Sequence, residues 1–154
     1  MDWWKLTPII ISIIALIFSI STFFYNFFRN KKNLNVELLK YFNVPTTGTF
    51  VKLILINKSA NPISITKFSI NEKEANRNKD LYIKWDTRLN NVNIDVLPIK
   101  LESYEAVEVL LFFYNLELKS NEKDKYIIYS SRGKITKRIN NKNMNKNYHE
   151  LISN

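Results

Sequence analysis

Hydrophobic and polar positions follow two regimes along the 154-residue chain. Between Lys5 and Arg29 all 23 residues, LTPIIISIIALIFSISTFFYNFF, are uncharged. As a helix at about 1.5 Å per residue they reach roughly 34 Å, against a hydrocarbon core of about 30 Å, so the run predicts one membrane span. From Leu34 onward the apolar residues come instead in short runs rich in Ile, Val, Phe and Tyr, broken by Pro, Asn and Ser. That regime predicts strands.

Several features fit the span reading. Thr7 before Pro8 is expected as N-cap and first helical position, where proline's missing N–H costs nothing. Trp3 and Trp4 at one end, and Phe23, Phe24, Tyr25, Phe27 and Phe28 at the other, suit aromatic anchoring at the two interfaces. A buried soluble helix of this length would need a far larger protein around it. A cleaved signal peptide would carry a basic leader and a small-residue cleavage site, whereas MDWWK is nearly neutral and FFYNFF is bulky. Arg29, Lys31 and Lys32 follow the span with no acid before Glu37, while Lys5 and the terminal amine face Asp2. Positive charge stays inside, which predicts an outside amino terminus and a cytoplasmic C-terminal domain. Residues 1–32 are therefore read as a transmembrane anchor with a basic flank in a single-pass cell-membrane protein.

Within the run, Ser12, Ala15, Ser19, Thr22 and Asn26 are spaced 3, 4, 3 and 4. At about 100° per residue they form one stripe roughly 80° wide. Small and weakly polar residues on one face admit a second helix, either another copy or a different membrane protein. The alternative is that the hydroxyls bond back to carbonyls of their own helix. Ser21, on the opposite face, shows that the stripe is not exclusive.

Residues 33–139 are expected to form the β domain. The candidate strands are Leu34–Phe42, Phe50–Asn57, Ile63–Asn71, Leu81–Trp85, Ile99–Glu102, Ala106–Tyr114, Tyr126–Ser130 and Lys134–Ile139. Alternation puts Leu34, Val36, Leu38 and Phe42 on one side, with Lys40 the exception, and likewise Val107, Val109, Leu111 and Phe113. Asn57–Pro62 reads as a bend, and Ser131–Lys134 as a tight hairpin with Gly133 at positive φ. Seven or eight strands without an amphipathic helix predict a mainly β, antiparallel, two-sheet sandwich, with a small barrel as the alternative. The run Phe50–Ile56 is apolar on both sides except at Lys52, and Leu110 and Phe112 oppose the Val107–Phe113 side. Such strands are either covered by loops or open to a partner. Residues 140–154, with six Asn among fifteen, read as a flexible tail.

The order of these elements carries a resemblance. A Trp-containing span, basic residues, a strand, then LILINKSANPISITKFSI, VLPIKLESYEAVEVLLFF and a last hairpin around SSRGKITKRI resemble uncharacterised bacterial single-pass membrane proteins with an immunoglobulin-like domain. The resemblance covers roughly residues 2 to 139. It implies an immunoglobulin-like sandwich and membrane anchoring, and brings no activity or functional residues. The paired cysteines and core tryptophan of typical immunoglobulin domains are missing from this sequence.

Charge adds a surface to the picture. The net charge of +9 is uneven: residues 33–124 balance at twelve basic and twelve acidic, residues 29–32 contribute +3, and residues 125–154 contribute +6. Arg29, Lys31, Lys32, Arg132, Lys134, Lys137 and Arg138, joined by Lys142 and Lys146, are read as a basic patch for the anionic membrane surface. Two other accounts stand beside it. One is nucleic-acid binding, for which Tyr126 and Tyr129 are the only nearby aromatics and no recognition helix is present; the other is a solvated surface that keeps an Asn-rich chain soluble.

Candidate chemistry is sparse. Zero Cys and one His exclude a disulfide framework, a thiolate metal site and a cysteine nucleophile, and leave no donor set for a His-based metal site. His149, in the tail, lacks the packed surround that a catalytic triad needs. Glu72, Glu74 and Asp80 are interleaved with Lys73, Arg77 and Lys79, and Glu102, Glu105 and Glu108 span a turn and a strand. Asn57-Lys58-Ser59 fits a glycan acceptor sequon. High Asn, Lys and Ile usage is what an AT-rich genome encodes. The sequence therefore reads as a non-enzymatic membrane-anchored binding or scaffold protein without cofactor or metal. Its expected partners are the lipid bilayer, a helix partner or homodimer and an unidentified protein. The alternative is a phage-encoded membrane effector, of superinfection-exclusion or holin-like kind, marked by toxicity that needs the span but not residues 33–154.

Overall fold

A computed structural model describes residues 3–29, 33–84 and 86–142. The chain divides between residues 32 and 33 into two compact units. The first is helix α1, Trp3–Arg29. Its 22-residue stretch Leu6–Phe27 is long and apolar enough to cross a membrane, and none of it is buried by the protein. The helix starts one turn earlier than the Thr7–Pro8 signal predicts, so Pro8 lies inside it. There the proline gives up its own N–H bond to the preceding turn, and its ring crowds the carbonyl four residues back. Thr7 caps nothing; its hydroxyl donates back to the Trp3 carbonyl at 2.9 Å.

The second unit is built from antiparallel strands. They are β1 (Leu34–Val44), β2 (Gly48–Asn57), β3 (Ile63–Ile70), β4 (Lys73–Glu74), β5 (Ile99–Leu101), β6 (Ala106–Tyr114), β7 (Lys123–Ser130) and β8 (Gly133–Asn140). One sheet has the order β1-β2-β6 and the other β4-β3-β7-β8, with β5 also on β3. Val51, Leu53, Leu55, Val109, Leu111 and Phe113 of the first sheet share one core with Ile65, Phe68, Ile70, Tyr126 and Ile128 of the second. Phe68 sits at its centre, edge-on to Phe113 and Tyr126 at ring-centroid distances of 6.1 and 6.3 Å.

Two expectations are corrected, one of side-chain phase and one of a strand. In β1 the register shifts between Leu38 and Lys40, which marks a bulge at Leu39. One extra residue reverses every later side chain, so Tyr41 joins Leu34 and Val36 in the shared core while Phe42 turns to the opposite face. The expected strand Leu81–Trp85 is absent over residues 81–84, and Trp85 lies outside the described residues. Here the backbone is satisfied by side chains rather than a ladder: Tyr82 N–H donates to Tyr114 Oη at 3.1 Å and Ile83 N–H to Asn90 Oδ1 at 2.6 Å. A 3₁₀ turn, Thr87–Asn91, follows, capped by Asp86, which accepts from Arg88 N–H at 3.0 Å.

That irregular segment has a clear physical reason. Phe42, Val44, Phe50, Leu110 and Phe112 make the outer side of the first sheet apolar at one end, and Leu81, Ile83, Leu89 and Ile94 close over it as a second core. The Phe112 ring packs between Phe50 and Tyr114 at 4.6 and 4.9 Å. The doubly apolar strands are thus covered by this chain's own loop there, while Ile54 and Ile56 farther along remain half-buried.

Both glycines are fixed by geometry. A Cβ on Gly48 would stand 2.0 Å from the Phe113 carbonyl oxygen. Gly133 turns the last hairpin at φ 108°, as its place between Arg132 and Lys134 predicts. The first two residues of the expected tail belong to the domain: Asn140 closes β8 and Asn141 is fully buried. Residues 143–154, with Lys146 and His149, lie outside the described residues.

Candidate functional site

β7 and β8 alternate in side-chain direction, although Ile127 of the outer face is itself buried. Tyr126 and Ile128 point into the shared core with Ile135 and Ile139 beside them, so Lys123, Lys125, Ile127 and Tyr129 and then Lys134, Thr136 and Arg138 share the outer face. After its own register shift between Ile65 and Lys67, β3 adds Lys67 and Ser69 to that face. Glu74 of β4 is the acid beside them, and it pairs with both Lys67 and Arg77, the latter at 3.4 Å. Lys67 foremost, then Arg77, hold the Glu74 carboxyl below its ordinary range.

Two lines of side chains cross the sheet. Lys67, Tyr129 and Lys134 are register neighbours, and each ammonium lies 5.6 Å from the Tyr129 ring centroid. Such cation–π contacts hold the ring between two charges. Lys125 and Arg138 stand directly opposite each other. Like charges in that relation are destabilising. Among the described residues, Lys123, Lys125, Lys134 and Arg138 have no carboxylate within ion-pair distance.

The expected basic patch is redrawn accordingly. Lys134 and Arg138 belong to this face, and Arg132 lies in the turn at its end. Lys137 does not: the strand period turns it to the core side with Ile135 and Ile139, where its ammonium donates to Asn35 Oδ1 of β1. Burial lowers the Lys137 pKa, the Lys58 charge lowers it further, and Glu37 opposes both. Lys67, Lys123 and Lys125 are members that sequence reasoning missed. The usable signal was the phase of β7: with Tyr126 and Ile128 inward, Lys123 and Lys125 fall outward. The side chains of Arg29, Lys31 and Lys32 lie outside the described set.

Other candidates resolve into structural roles. In the helix stripe, Ser12 and Thr22 donate back to the carbonyls of Pro8 and Phe18, each at 2.8 Å. Ala15, Ser19 and Asn26 are exposed on the same helix. The sequon asparagine is fully buried. Asn57 Nδ2 donates to the carbonyls of Asn61 and Glu102 at 2.9 and 2.7 Å, and its Oδ1 accepts from Ser59 N–H and Oγ at 3.0 and 2.6 Å. The motif is a polar knot tying the 58–62 bend to the turn before β6, and its amide is inaccessible for glycan transfer in the folded domain.

A second polar knot closes the far end. Buried Asp124 accepts from Asn71 Nδ2 at 2.5 Å and from Asn141, whose Oδ1 takes the Tyr126 hydroxyl at 3.3 Å. Burial first, then the charges of Asp124 and Tyr41, push the Tyr126 pKa well above its ordinary 10.0. Tyr41 is also raised, chiefly by burial. Among the described residues no group of three His, Cys, Asp or Glu side chains could hold a metal ion. No protein-family model matches the chain, and no curated protein matches it either.

Proposed function

We propose that this is a non-enzymatic, single-pass membrane protein whose α1 crosses the bilayer and whose β domain, on the cytoplasmic side, binds or scaffolds a partner there. The observation that carries the reading is the unburied 22-residue apolar surface of Leu6–Phe27. Soluble monomers rarely expose contiguous apolar patches above a few hundred Å², and a helix satisfies its own backbone in lipid. The basic residues after the helix support the cytoplasmic orientation.

The domain is proposed to be an immunoglobulin-like sandwich. In support, the order β1-β2-β6 against β4-β3-β7-β8 corresponds to an A-B-E sheet facing a C′-C-F-G sheet. Phe68, Phe113 and Tyr126 occupy the centre, where a disulfide and tryptophan stand in antibody domains.

The test uses the full chain expressed in bacteria. Retention in the membrane after alkaline carbonate, together with an intact mass that includes residues 1–32, is the expected result. A detergent-free soluble monomer, or a mature chain cut after the helix, overturns the reading. Because the chain has no Cys, Thr46→Cys reports sidedness: an impermeant maleimide should label it only after the cells are opened.

A further inference from the structure

We propose that the outer face of the β4-β3-β7-β8 sheet lies side-on against anionic lipid headgroups of the membrane in which the helix is anchored. This rests on the span reading above. The face presents Lys67, Lys123, Lys125, Lys134 and Arg138, with Glu74 spent on Lys67 and Arg77. The decisive arrangement is the opposed pair Lys125 and Arg138.

A like-charge pair also occurs on the other sheet, Lys40 opposite Lys52, but there Glu108 meets Lys52 at 3.1 Å. Lys125 and Arg138 have no such relief among the described residues. Two cations held side by side without a carboxylate are complementary to phosphate, and headgroup phosphates neutralise the repulsion that the register imposes.

Three observations select lipid over other polyanions. Among the described residues Tyr129 is the one exposed aromatic on this face, and Lys67 and Lys134 already flank its ring, so it offers bases no open stacking platform. Apart from Tyr129, the exposed side chains described on this face are polar or charged, so it offers few of the large apolar groups that anchor a protein hot spot. Only residues 30–32 join α1 to the domain, and two of them are Lys31 and Lys32. So short a connection keeps headgroups at high effective concentration, where several weak cation contacts act together.

The experiment reconstitutes the full chain into vesicles of phosphatidylcholine alone or with phosphatidylglycerol. Single-cysteine variants carry an environment-sensitive dye at Thr136→Cys on the face, at Asn91→Cys on the loop over the other sheet, or at Ser103→Cys at the end where β1 begins. Phosphatidylglycerol should cut acrylamide quenching at position 136 by about threefold and leave positions 91 and 103 unchanged, and about 1 M salt should reverse the effect. Adding Lys125→Gln and Arg138→Gln, both surface changes, should abolish the protection.

Quenching at 136 that is equal in both lipids overturns the proposal. So does protection at 103 instead, which would mean the domain stands on its end. Protection at 136 by a single-stranded oligonucleotide but not by phosphatidylglycerol would assign the face to nucleic acid. A chain that does not enter vesicles at all sinks the span reading itself, an outcome distinct from insertion without protection.

Discussion

The outer faces of the two sheets have opposite fates. Both sheets bury one side in the same core, yet the β1-β2-β6 sheet is apolar on its other side at one end, and the 76–98 segment folds over it. The β4-β3-β7-β8 sheet is basic on its other side and, among the described residues, carries no such cover. An apolar outer face recruits the chain itself, because burying it is favourable at about 25 cal/mol per Å². A charged outer face cannot be covered that way, since burial without partners costs more than it returns. It stays available to something that brings opposite charge.

The largest test of that contrast is Phe112→Ala. Phe112 is fully buried in the second core, and its loss should cost about 3–5 kcal/mol and loosen the 76–98 segment. Thr136→Ala on the other outer face should change stability by no more than about 0.5 kcal/mol. Urea unfolding of the full chain in detergent, with hydrogen exchange over residues 76–98, measures both. Equal effects would mean that the segment is an appendage and not part of the fold.

The hairpins sharpen the same contrast. Gly48 opens β2 against the Phe113 carbonyl, so Gly48→Ala forces the sheet apart and should cost about 3 kcal/mol or more. Gly133 sits in an open turn where only its φ of 108° is special, and Gly133→Ala should cost about 1–2 kcal/mol. Thermal unfolding of the two variants should separate them by several degrees; a reversed order would place the tighter packing at the wrong sheet.

How much of this was legible in the sequence depended on whether the pattern was local. The helix and most strands follow from runs whose periodicity is visible over a few residues, such as Val107–Phe113. The bulge at Leu39 was not legible, because Tyr41 and Phe42 are both aromatic and either phase buries one of them. Leu81 and Ile83 read as a strand since strands and covering loops both alternate, and only the apolar patch on Phe50 and Phe112 decides between them. Lys137 looked like a patch member because sequence proximity to Lys134 and Arg138 ignores the face on which each side chain emerges.

Alkaline pH probes the core that the two faces share. Tyr126 and Tyr41 both have raised pKa values in the folded domain. Above the ordinary value of 10.0 the unfolded chain loses these protons first, so the folded state binds more of them and stability falls as pH rises. For Tyr126 the loss approaches about 1.4 kcal/mol per pH unit. Denaturation midpoints between pH 9 and about 11 should drop, and Tyr126→Phe should flatten the slope. An unchanged slope in that variant would remove Tyr126 from the account.

Lys137 is expected to have a small effect on stability and a more informative one on association. Its pKa is lowered, so at neutral pH its charge is held at some cost, which is relieved as pH rises through the depressed value. Lys137→Val should therefore shift stability by less than about 1 kcal/mol, in the favourable direction if the valine packs beside Ile135 and Ile139. Yet β8 ends the sheet, and an inward-facing charge on an edge strand is a standard guard against pairing with another chain. The variant should associate in detergent at concentrations where the parent stays monomeric, read by light scattering. If Lys137→Val stays monomeric while Lys125→Val on the outer face associates, then the guard is the basic face itself, and the two sides of β8 exchange the roles argued for them.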